Sequence, residues 1–236
     1  TDIKSITLGK KPTAPTTWSS ATTVVVGDKL NLYWVHNSED NSSQTFALLE
    51  IIVDGDTVTQ TIKNSTDENE KDKTSVYTID TTPYEEGTVI KWRVKTRGVI
   101  NEYSDWSTQR VVNVYAAPSL ELNVTNQNGE SIESLSAFPL YINGISGPAT
   151  QKPTGYHVDI VANDSYETVD QIGNSKIVSV GESVYSKHFN TDKELLLELS
   201  AGNVDLENNI NYTVTCTVSM NSGLTAEASY DFVVAW

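Results

Sequence analysis

The chain of 236 residues is long enough for one large domain or two of ordinary size. Its formal net charge of −15 argues against nucleic acid as a partner, because a phosphate backbone needs a basic face to neutralise it. A single cysteine permits no internal disulfide, which points to bacterial or cytoplasmic synthesis; no apolar run approaches a membrane span, and no basic-then-apolar leader opens the chain.

Val, Ile, Thr and Tyr abound, Asn, Ser and Thr crowd between them, and no long segment has helical periodicity. Many short strands with polar turns are expected, hence an all-β sandwich architecture. After the Pro-rich Lys11 to Pro15, Trp18 marks a short first strand. Lys29 to Trp34 alternates, which turns Leu30, Leu32 and Trp34 inward. A polar loop, His36 to Gln44, precedes the apolar strand Thr45 to Val53; Asp54-Gly55 is a hairpin-turn pair that returns the chain as Thr57 to Ile62. Residues 63–73 form a charged loop, and Ser75 to Ile79 resumes the sheet. Ile90 to Arg97 alternates strictly, with Ile90, Trp92, Val94 and Thr96 on one face and Lys91, Arg93, Lys95 and Arg97 on the other. The Tyr103-Ser104-Asp105-Trp106-Ser107 segment is expected as the neighbouring strand, and Val111 to Tyr115 closes the domain.

Ala116-Ala117-Pro118 is the junction, which gives domains 1–116 and 117–236; the proline restricts the residue before it and predicts a semi-rigid connection. In the second domain the expected strands are Leu120 to Val124, Phe138 to Ile145, Tyr156 to Val161 and Glu194 to Leu199, with Asn128-Gly129 as a turn. The polar region 162–192 holds weaker strands around Ile177-Val178 and Val184-Tyr185. Leu206 to Val218 then directs Tyr212, Val214, Cys216 and Val218 inward. Its Leu-x5-Tyr-x-Val spacing matches a tyrosine corner, in which the phenol bonds back to upstream backbone; Ile90 stands at that place in the first domain.

The chemistry-bearing residues form no recognised catalytic motif. His36, His157 and His188 lie far apart in sequence, and there is no serine elbow, paired-histidine metal motif or phosphate-cradling glycine loop. Asp54-Gly55-Asp56 and the acidic run 67–72 offer oxygen atoms without the ligand spacing of a calcium loop. The expectation is therefore no enzyme, no cofactor and no metal. Cys216, in phase with core residues, reads as a buried small hydrophobe. Sequons at Asn41, Asn64, Asn123, Asn163 and Asn211 matter only in a eukaryotic secretory pathway.

One candidate patch stands out: Lys91, Arg93, Lys95 and Arg97, four of 16 positive side chains, with Tyr103 and Trp106 beside them. It reads either as a stack in which cationic stems cover aromatic rings or as a patch for an acidic glycan or an acidic neighbouring subunit.

Two resemblances attach to these residues. Tyr103 to Ser107 and the Arg93/Lys95 strand resemble the Trp-Ser-x-Trp-Ser box and stacked ladder of cytokine receptors, although Tyr103 replaces the first tryptophan and the paired cysteines are missing. Across nearly the whole chain, the sequence resembles bacteriophage and prophage minor tail structural proteins with tandem fibronectin type III/immunoglobulin-like β-sandwiches. In the first domain the likeness rests on Leu32 to Asp40, Gln44 to Ala47, Asp54-Gly55, Trp92 to Val94 and Tyr103 to Ser107. In the second it rests on Phe138 to Ile142, Pro153 to Ile160, the tyrosine-corner strand and Met220 to Ala226. The resemblance implies a non-enzymatic spacer or host-attachment module of a virion tail, made in the bacterial cytoplasm. Its implied partners are other virion tail proteins and a host cell-surface glycan, with no nucleic acid and no membrane insertion. The alternative is a bacterial secreted or surface carbohydrate-binding module associated with a polysaccharide-degrading protein.

Overall fold

The computed structural model describes residues 9–64, 75–169 and 172–236. The chain divides into two compact units, Thr1–Ala116 and Ala117–Trp236.

The first unit runs β1 (Thr13–Ser19), β2 (Thr23–Val25), β3 (Lys29–Asn37), β4 (Phe46–Val53), β5 (Asp56–Lys63), β6 (Val76–Asp80), β7 (Val89–Arg97) and β8 (Arg110–Tyr115). One sheet has the order β1-β3-β6 and the other β2-β8-β7-β4-β5, with β2 parallel to β8. The three-residue β2 is the strand that sequence reading does not anticipate; it is too short to show alternation. The inward residues follow the expected parity. Leu30, Leu32 and Trp34 of β3 meet Ala47 and Leu49 of β4 and Ile90, Trp92 and Val94 of β7 in one fully buried cluster. Trp34 donates from Nε1 to Gln44 Oε1 at 2.9 Å, and Gln44 donates in turn to Asn64 Oδ1 at 2.8 Å, so one of the two core indoles has a buried polar partner. The β4–β5 connection has positive φ at both Asp54 (51°) and Gly55 (96°), the two-residue turn that matches strand twist in hairpins.

The second unit runs β9 (Ser119–Thr125), β10 (Ser134–Leu135), β11 (Leu140–Gly147), β12 (Pro153–Ala162), β13 (Tyr166–Val169), β14 (Ser175–Val178), β15 (Ser183–Phe189), β16 (Leu195–Leu199), β17 (Asn211–Met220) and β18 (Thr225–Val234). Its sheets have the orders β16-β11-β9 and β10-β18-β17-β12-β15. Once the separate β13–β14 hairpin is set aside, each sheet repeats the strand order of its counterpart in the first unit. Both units are all-β sandwiches whose strand order resembles that of fibronectin type III domains.

The tyrosine corner is present. Tyr212 is fully buried, stacks on Phe232 with ring centroids 5.7 Å apart, and its phenol oxygen accepts the Glu207 N–H at 2.9 Å. Burial raises its titration above the ordinary phenol range. Ile90 pairs with Val53 at the end of β4 as Tyr212 pairs with Ala162 at the end of β12, and the first unit places its large aromatic two residues further on, at Trp92. Replacing Tyr212 by Phe leaves the Glu207 N–H without its acceptor. We expect a loss of about 1–3 kcal/mol, read as a lowered denaturant midpoint; an unchanged midpoint would contradict a structural role for the phenol.

Candidate functional site: a ladder of cations and rings

The register of β4 against β7 sets the patch. Lys91, Arg93, Lys95 and Arg97 on the outer face lie opposite Ile52, Glu50, Leu48 and Phe46. On the other side, β8 pairs with β7 only from Val89 to Trp92. Beyond Trp92 the backbone of β7 bonds the 104–107 segment, which is not a strand. This corrects the expectation of a regular strand there: the return strand of the hairpin is β8.

The replacement is specific. Ser104 and Ser107 donate their N–H groups to the Thr96 and Val94 carbonyls at 2.8 and 2.9 Å. Their hydroxyl oxygens accept the Thr96 and Val94 N–H groups, both at 3.1 Å. Each hydroxyl then donates onward to the carbonyl of the next residue, Asp105 or Thr108. Three residues of the segment thus advance against two of the strand. Tyr103 and Trp106 share the same three-residue spacing and land on one face, above the cations.

The result is a continuous stack. Arg93 lies over Trp106 at 4.6 Å, and Lys95 lies between Trp106 (4.7 Å) and Tyr103 (5.2 Å). Arg97 lies between Tyr103 (5.5 Å) and Phe46 (4.2 Å). Arg93 also donates from Nε to Glu50 Oε1 at 2.6 Å, an ion pair in which Glu50 is the more buried partner. Arg97 bonds Asn101, and Lys11 pairs with Asp105 at 2.9 Å, which fastens the segment at both ends. Lys91 occupies the same face at an exposed position and lies over none of these rings. The structure therefore brings together Arg93, Lys95, Arg97, Tyr103 and Trp106, and leaves Lys91 apart. Phe46 and Glu50 escaped the sequence reading; their parity on β4 was visible, but the register that sets them opposite Arg97 and Arg93 was not.

Other groups with chemical potential are held in structural roles. Among the described residues, four carboxylates depart from their ordinary titration, all downward. Asp40 is lowered mainly by the hydrogen bond from Ser38, Asp80 by that from Thr82, Asp164 by the Asn211 N–H, and Glu182 by Lys176. Cys216 is fully buried, and burial pushes its thiol up to about 11, well away from a nucleophilic thiolate. His36 belongs to the first unit, while His157 and His188 stack across β12 and β15 with centroids 4.0 Å apart. The acidic run 67–72 lies outside the described residues.

No protein-family model and no curated protein sequence matches this chain. Among solved structures, it is similar to the chicken CNTN1 FN1–FN3 domains at 13% identity and a TM-score of 0.47, covering 97% of this chain and 69% of that one. It is also similar to a structure concerned with host cell surface retention of a 1.5-MDa bacterial ice-binding adhesin, at 11% identity and a TM-score of 0.36, covering 96% of this chain and 66% of that one.

Replacing both Arg93 and Lys95 by Gln removes three ring contacts and the Glu50 ion pair. At roughly 0.5–1 kcal/mol per exposed contact, we expect a loss of about 1.5–3 kcal/mol in denaturant unfolding. Wild-type stability combined with lost binding to a sulfated glycan would instead mark the face as a partner patch.

Proposed function

We propose that this chain is a non-enzymatic structural and adhesion module of a phage or prophage tail, a spacer that also contributes to attachment at the host surface. The observation that carries the reading is the repeated sandwich. Two units of the same strand order each close their own hydrophobic core, so the sequence is spent on stable, stackable modules. The ordered motifs from Leu32 to Ala226 that resemble minor tail proteins support the setting. The net charge of −15 supports it too, since like charge keeps crowded copies apart. Among the described residues, the four carboxylates with shifted titration are pulled down, away from the raised carboxyl that a general acid needs.

A bacterial surface or secreted carbohydrate-binding module is the second reading. It is favoured by the exposed Trp18 of β1, stacked on the half-buried Tyr33 of β3. Immunogold electron microscopy on particles induced from a strain that carries the gene separates the two. Gold at the distal tail or its fibres is the expected result. Intact particles without gold would overturn the tail assignment.

A further inference from the structure

We propose that the first unit binds a neutral oligosaccharide in the groove between the outer face of β1 and β3 and the loop that follows β3. The inference deepens the host-attachment reading and rests on it for its biological setting, while the site itself stands on geometry.

Trp18 and Tyr33 are direct cross-strand partners, and their parity turns both outward, because Thr17 and Trp34 beside them face the core. The indole lies nearly parallel to the phenol ring, with centroids 5.5 Å apart and planes 14° apart, yet remains 46% exposed. A tryptophan supported from below and open above is a rigid apolar platform that loses little freedom when a flat ligand covers it. The groove beside it has a volume of about 480 Å³, within the roughly 300–1,000 Å³ typical of small-ligand sites.

Apart from Trp34 and Val35, the rest of the described lining is polar and uncharged. Asn41, Ser42 and Ser43 come from the loop, and buried Gln44 forms part of the wall. Asp40 stays outside the lining; it accepts the Ser42 N–H at 3.0 Å and the Lys10 N–H at 2.8 Å, and so holds the loop in shape. Asn41 sits at φ 55°, in the left-handed region. His36 also lines the groove, and burial lowers its titration, so its imidazole is neutral at pH 7. None of the described lining residues carries a formal charge at that pH, in a chain of which 20% of the residues are charged.

These features select a ligand chemistry. An acidic glycan or a nucleic acid gains nothing from described lining residues that carry no charge, in a protein of net charge −15. A pyranose offers what the groove complements: one face of C–H groups to lie on the indole, and a rim of hydroxyls for amide and hydroxyl partners. The platform and the polar loop line the same groove, as such a ligand requires.

The test is calorimetric titration of the full chain with maltohexaose, cellohexaose and N-acetylchitohexaose, accompanied by tryptophan fluorescence. At least one of the three binds in the expected result. Trp18→Ala, at a partly exposed position, then weakens binding about tenfold or more while the cooperative unfolding transition is retained. Asn41→Gly, which keeps the positive φ and removes the amide, also weakens it, while the Arg93→Gln/Lys95→Gln pair retains it. No binding to any of the three, binding indifferent to Trp18→Ala, or binding only to a heparin oligosaccharide or a proline-rich decapeptide would each overturn the proposal. Its failure is separable from that of the tail reading, which immunogold labelling decides by itself.

Discussion

The first unit depends on how the upper half of β7 satisfies its backbone. Trp92 and Val94 must point into the core, so the strand that carries them is fixed between two neighbours. β4 covers one side along the whole length, but β8 stops at Trp92. An unpaired buried N–H costs as much as a lost hydrogen bond. The Val94 and Thr96 donors therefore need acceptors from outside the sheet, and the Ser107 and Ser104 hydroxyls supply them. With those serines anchored, Tyr103 and Trp106 have one place to go, above Arg93, Lys95 and Arg97. The stack follows from the anchoring, not the reverse: each exposed ring contact is weak, whereas four hydrogen bonds to the β7 backbone, two of them through serine hydroxyls, fix the geometry.

This order of causes bears on function. The faces of the guanidinium and ammonium groups lie on rings, and one edge of Arg93 is taken by Glu50. That leaves a surface built to stay still. The groove at Trp18 differs in kind: its indole has a ring behind it and solvent in front, and its polar neighbours are uncharged. The proposed spacer role would use the first kind of surface, and the proposed attachment role the second. A single sandwich carries both, because the ladder belongs to the outer face of one sheet and the platform to the outer face of the other.

The architecture was legible where a strand has one buried face. In β3, β7, β16 and β17 the apolar residues recur at every second position, and the observed burial follows that parity. The tyrosine corner was legible because its spacing couples a turn to a strand, and the phenol bond is where that spacing places it. Edge strands were harder to read. β5 and β15 are exposed along most of their length, so neither shows the alternation that marks a strand; the Asp54-Gly55 turn still locates β5 as Thr57 to Ile62, whereas β15 is legible only around Val184-Tyr185. The serine segment was misread as a strand because a repeat of three was taken for a repeat of two. The platform was invisible for another reason: only pairing with β3 decides which face of β1 Trp18 occupies.

Amide hydrogen exchange at Val94 and Thr96, measured residue by residue on the intact chain, tests the dependence most directly. Alternation along β7 turns the Arg93 and Lys95 amides toward β4 and those of Val94 and Thr96 toward the serines. If the hydroxyls act as true ladder acceptors, Val94 and Thr96 are protected as strongly as Arg93 and Lys95, and all four open together. Exchange of Val94 and Thr96 at the rate of an open loop, with Arg93 and Lys95 still protected, would show that the serines do not complete the sheet.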